Sequence, residues 1–65
     1  METRIQLMEG MKYPVLVTFP FLYEKPKGGE LYIDRVAYLI DHIKDMIDTD
    51  GNILRLIRVY KRSIT

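Results

Sequence analysis

Between Glu30 and Asp48 the apolar residues return every three to four positions. At about 100° per residue, Tyr32, Ile33, Val36, Leu39, Ile40, Ile43, Met46 and Ile47 fill one arc of roughly 140°. Asp34, Asp41, Asp45 and Asp48 gather on the far side, with Arg35 and His42 beside them. This segregation predicts a long amphipathic helix with a single face to bury. Its start is loosely defined, because no Ser or Thr caps Glu30. Asp34 becomes the N-cap if "ELYI" pairs as a strand instead.

The segment before this helix reads as a hairpin. Tyr13, Val15, Val17, Phe19, Phe21 and Tyr23 alternate along "YPVLVTFPFLY", and each is aromatic or β-branched, the types that suit a pleated surface. "MEGMK" supplies the glycine for a turn back to a short strand around Arg4–Met8. Pro14 and Pro20 remove ladder donors and predict an open edge or a break near Pro20. "EKPKGGE" is a loop by composition. After the turn-like "DTDGN", the segment "NILRLIRVYKRSIT" fits a strand better than a helix. The helical alternative gathers Ile53, Leu56, Ile57, Tyr60 and Ile64 on one face, but Leu54 and Val59 disturb that wheel.

The expected fold is therefore a single α+β domain over residues 1–65: an N-terminal β-hairpin, one long amphipathic helix, and a C-terminal strand completing a small sheet. The alternative is ββαα. A chain of 65 residues has a small core that supplies no more than about 3–5 kcal/mol, and natural domains of this size add disulfides, metal or partner chains. There is no cysteine, which excludes disulfides, thiol chemistry and Cys-based zinc sites, and one histidine makes an all-protein zinc site difficult. With 48% hydrophobic residues, the chain is expected to be supported by a homo-oligomer or a larger protein partner. No cofactor is expected. The charged N-terminus lacks a signal-peptide core, and the longest uncharged run has eleven residues and two prolines, too few to span a bilayer. A cytoplasmic setting without membrane is the expectation.

Several stretches resemble sites when taken alone. "DTDGN" matches the first ligands of a calcium loop at Asp48, Asp50 and Asn52, but Ile53 and Val59 stand where its glycine and closing glutamate belong. It reads as a corner ending the helix at Gly51. "KPKGGE" lacks phosphate-loop spacing and places Glu30 where the anion would sit. The aspartate stripe with His42 reads as a solvated face, or as a patch for a basic partner. Residues 51–65 carry Arg55, Arg58, Lys61 and Arg62 and no acid, whereas residues 1–50 carry six Lys/Arg against nine Asp/Glu. This basic tail, with Tyr60 inside it, has the composition to follow a phosphate backbone and stack a base. It has equally the composition to cover a core with arginine stems, or to pair with the aspartates within the chain or across a dimer.

No family motif covers enough of the chain to carry a function over. Catalysis is not expected, and Arg58, Tyr60 and Lys61 form the one grouping with enzymatic potential. The function expected is a small non-catalytic protein–protein interaction module, a regulator or inhibitor of a larger protein, with Phe19, Phe21 and Tyr23 as partner-binding residues. The alternative is a small nucleic-acid-binding regulator using Arg55, Arg58, Tyr60, Lys61 and Arg62.

Overall fold

Alternation in the first half of the chain builds what it predicts. In the computed structural model, which describes residues 1–62, β1 (Glu2–Leu7) and β2 (Val15–Phe19) form an antiparallel hairpin. Gly10 takes a φ of 63° in the turn between them, a left-handed value that suits glycine. Pro20 closes β2.

No helix follows among the described residues. Residues 30–48 form a second hairpin, β3 (Glu30–Ile33) and β4 (Val36–Ile47), so the fold is all β and not α+β. The C-terminal segment is β5 (Ile53–Lys61), which removes the ββαα alternative as well; Ile64 lies outside the described residues. β4 runs antiparallel to β5, and β5 runs parallel to β1. The sheet order is β2-β1-β5-β4-β3, one curled half-barrel in which the β1–β5 ladder joins the two halves. No helix in the described residues is long and apolar enough to cross a membrane.

Two features give β3–β4 the periodicity of a helix. Asp41 is a bulge: Ile40 pairs with Val59 and His42 with Arg58, leaving one residue extra on β4. An added residue resets the alternation, so inward-facing Tyr38, Ile40, Ile43 and Asp45 are spaced two, three and two apart. In addition, the outer face of this strand is apolar at Leu39 and Met46, so both faces contribute to the apparent arc. The connection between β3 and β4 is the two-residue turn Asp34–Arg35, with φ of 49° and 69°. Positive φ at both central residues matches the twist of a hairpin and favours Asp-Gly or Asn-Gly. Arginine is strained there. Arg35→Gly is expected to raise stability by about 0.5–1 kcal/mol, read as a higher melting temperature, because relief of left-handed strain outweighs the added freedom of the unfolded chain.

The core lies on the concave face, where Ile5, Leu31, Tyr38, Ile40, Ile57 and Val59 are buried. Residues 20–29 cross this face as a strap from β2 towards β4. Thr3, at 0% exposure, holds the strap midway: its hydroxyl donates to the Phe21 carbonyl at 2.7 Å and accepts from the Tyr23 N–H at 2.9 Å. Farther along, the Gly28 N–H donates to the Ile40 carbonyl, and the Ile40 N–H donates to the Gly29 carbonyl. The "KPKGGE" loop thus delivers the chain into β3, not into a helix N-terminus.

Among the described residues the sheet does not close. β2 pairs with β1 alone. On the opposite side, β3 covers β4 only from Val36 to Leu39, and the strap extends cover to Ile40. Beyond that point, among the described residues, β4 pairs with β5 alone through Ile47.

Candidate interaction surface

Phe19, Phe21 and Tyr23 come together although they belong to a strand end and a strap. Phe19 is the middle ring. Its centroid lies 5.1 Å from that of Phe21 and 5.2 Å from that of Tyr23, with planes inclined by 25° and 24°. These separations suit stacked aromatic pairs. Two backbone anchors fix the row, because Thr3 grips the strap on both sides of Leu22 and Arg55 Nη1 donates to the Tyr23 carbonyl at 3.1 Å. Phe19 and Tyr23 are half-buried, whereas Phe21 is 51% exposed. Exposed Val15 and Tyr13 lie on the other face of the same hairpin, Val15 opposite Gln6 and Tyr13 beneath Arg58.

The basic tail is divided by strand alternation. Arg55 faces the concave side and is occupied there: Nε and Nη2 clasp the two carboxylate oxygens of Asp45 at 2.8 and 3.0 Å. That bidentate pair anchors the strap more than it presents charge. Arg58 and Tyr60 face the convex side, Lys61 alternates to the other face, and Arg62 pairs with Glu30. Arg58, Tyr60 and Lys61 therefore do not converge as a catalytic trio. Arg58 lies over the Tyr13 ring at 4.1 Å, a cation–π contact. Its convex-face neighbours are His42 and Lys44 on β4 and Arg4 on β1, none of them in the predicted basic set. Reading residues 42–44 as a strand with a bulge would have found this group.

The aspartate stripe is dispersed. Asp34 sits in the tight turn, Asp41 is the bulge, Asp45 pairs with Arg55, and Asp48 shapes the β4–β5 turn, while His42 is on the opposite face from Asp45. "DTDGN" is a corner, but of a hairpin and not the end of a helix. Asp48 Oδ1 accepts from the Asp50 and Asn52 N–H groups at 2.9 Å each, and Oδ2 accepts from Asn52 Nδ2 at 3.3 Å. Gly51, with φ of 83°, completes the turn. Among the described residues, no group of three or more His, Asp or Glu is placed to hold a metal ion.

Three carboxyls are held below their ordinary range, Asp48 chiefly by the Asn52 N–H, Asp45 chiefly by hydrogen bonds from Arg55, and Glu30 chiefly by a hydrogen bond from Tyr32. A lowered folded-state pKa stabilises above the unfolded value near about 4 and loses that contribution as pH falls through the folded value. The melting temperature is therefore expected to stay level from neutral pH to about 5 and to drop below about 4. Asp48→Asn should lower it at pH 7 and flatten the acid-side fall, as read from a pH series of thermal melts.

A cleft of about 450 Å³ lies at the far end of the sheet, lined by residues that include Glu2, Arg4, Met46, Ile47 and Leu54. Glu2 and Arg4 pair with each other at its rim. No family model, no curated protein and no solved structure matches the chain.

Proposed function

We propose that this chain is a non-catalytic protein-interaction module, of the regulator or inhibitor type, that takes up an extended segment of a larger protein along β2. The observation that carries this reading is an anchored aromatic row beside a sheet edge that, among the described residues, is unpaired. Free N–H and C=O groups on β2 supply ladder hydrogen bonds to an added strand, and Phe21, Val15 and Tyr13 offer apolar contact for its alternate side chains. A photo-reactive phenylalanine at position 21, introduced in the native host, tests it. A discrete protein adduct that disappears with Phe19→Ala supports the reading. Absence of any protein adduct at 21 refutes it.

A second reading has its own support in the convex face, where Arg58 and His42 face each other with Lys44 next along β4, near Tyr13 and Tyr60, and Arg4, paired with Glu2, lies beyond Leu56. Such a face suits a single-stranded nucleic acid bound by phosphate contacts and stacking. Lys44→Ala with Arg58→Ala would then abolish a salt-sensitive rise in the anisotropy of a labelled oligonucleotide. If the unaltered protein gives no such rise, this reading fails.

A further inference from the structure

We infer that the distal half of β4 is a self-complementary edge, through which two copies of this chain pair antiparallel into a ten-stranded sheet. The inference concerns the edge opposite the aromatic row, so its failure leaves the peptide-binding reading untouched.

The starting observation, among the described residues, is an unpaired backbone run from His42 to Ile47, beginning where the strap's bonds to Ile40 end. Unpaired N–H and C=O groups on an edge are a template for another strand. The side chains here do little to shield it, since Met46 is 40% exposed and Ile47 is 69% exposed. Among the described residues, Lys44 is the one charge on this run without an ion-pair partner, because Asp45 is clasped by Arg55.

Symmetry then limits the register. A two-fold axis normal to the sheet makes each residue face one of the same parity, with the axis passing through a residue facing itself. Centred on Lys44, the pairing sets lysine against lysine and Ile43 against aspartate. Centred on Met46, it sets Ile47 against aspartate and draws the turn residues Asp48 and Asp50 into the ladder. Centred on Asp45, it sets Ile43 against the second copy's Ile47 twice over, on the concave face, and His42 against its Asp48 on the convex face. The facing Asp45 pair is flanked by two Arg55 guanidiniums, each already bonded to its own carboxylate. In this register the isoleucines meet each other and His42 meets a carboxylate, with Lys44 laying its stem against Met46, whereas each of the other two sets an isoleucine against an aspartate. Cross-strand pairs of this kind are what stabilise a sheet.

Sedimentation equilibrium on the full chain should show a concentration-dependent monomer–dimer equilibrium, and Ile47→Lys should weaken the dimer at least about tenfold while the monomer's melting temperature changes little. Because the chain has no cysteine, the double variant Ile43→Cys, Ile47→Cys reports register. Under mild oxidation it should give covalent dimers, each disulfide joining position 43 of one copy to position 47 of the other, since positions four apart on one strand cannot reach each other. A chain that stays monomeric at millimolar concentration overturns the proposal. So does a dimer that survives Ile47→Lys and gives no covalent dimer in the double variant.

Discussion

Replacing Thr3 by valine should leave the chain largely unfolded at 25 °C, although the substitution changes almost no volume. Thr3 is fully buried, and its hydroxyl matches two backbone groups of the strap, the Phe21 carbonyl and the Tyr23 N–H. Valine satisfies neither. A buried polar group left without a partner costs about 1–3 kcal/mol, so two of them approach the whole stability available to a core of this size. Thr3→Ser keeps the hydroxyl and loses one methyl, so it should cost much less, about 1 kcal/mol. Chemical denaturation of the three proteins measures the difference. If Thr3→Val and Thr3→Ser melt together, the hydroxyl does not hold the strap. The effect extends to function, because the strap carries Phe21 and Tyr23. At temperatures where Thr3→Val remains partly folded, it should lose any partner contact made at position 21.

Ile57→Ala should have an effect of similar size by another route. Ile57 lies at 0% exposure in the central strand, facing Ile5 across the parallel ladder and Ile43 across the antiparallel one. Truncation removes buried methyl groups and leaves a cavity where two ladders meet, a cost of about 2–5 kcal/mol. With the unaltered protein at about 3–5 kcal/mol, the variant should be mostly unfolded at room temperature. Leu56→Ala, one residue away on the convex face, is the control. Leu56 is only half-buried and should lose far less. Circular dichroism and urea midpoints on both variants rank the two faces directly, and equal losses would place the core elsewhere.

The strands that could be read from sequence are those with uninterrupted alternation. Val17 and Phe19 fall on one side of β2 as their spacing indicates, whereas the irregularity opposite Gln6 turns Val15 to the other face; Gly10 marks the turn before them. β5 is readable from its Ile and Val content once the corner at Gly51 is recognised. β3 and β4 are not, because the bulge at Asp41 moves the alternation by one residue in mid-strand and the result matches a 3.6-residue period over the window that matters. The turn that would have separated them is Asp34–Arg35, which lacks the glycine that normally announces a two-residue hairpin. The β-branched residues Ile33, Val36, Ile40, Ile43 and Ile47 point to strand, as does the missing cap at Glu30, and the helical arc outweighs both.

The candidate surfaces divide along the same line. Phe19, Phe21 and Tyr23 are visible because alternation carries across Pro20 into the strap. The convex cations are visible only in part. Arg58 and Tyr60 come from β5, but His42 and Lys44 come from the strand that reads as a helix, where they fall on a solvated face. Arg55 shows the opposite error, since its charge counts towards a nucleic-acid footprint and the fold commits it to Asp45 and the strap. Pairing of the basic tail with the aspartates, one of the alternatives the sequence leaves open, is realised among the described residues at Arg55 and Asp45.

The strap, the unpaired edges and both binding faces follow from a single arrangement: the hairpin of residues 2–19 joins residues 30–61 through a parallel β1–β5 ladder. Backbone NMR assignment with amide–amide and amide–Hα nuclear Overhauser contacts tests this most directly. The arrangement predicts extended-strand chemical shifts from Val36 to Ile47, together with contacts linking Ile5 to Ile57 and Leu7 to Val59 in parallel register. Helical shifts running unbroken from Glu30 to Asp48, with no contact between the first strand and the last, would contradict it.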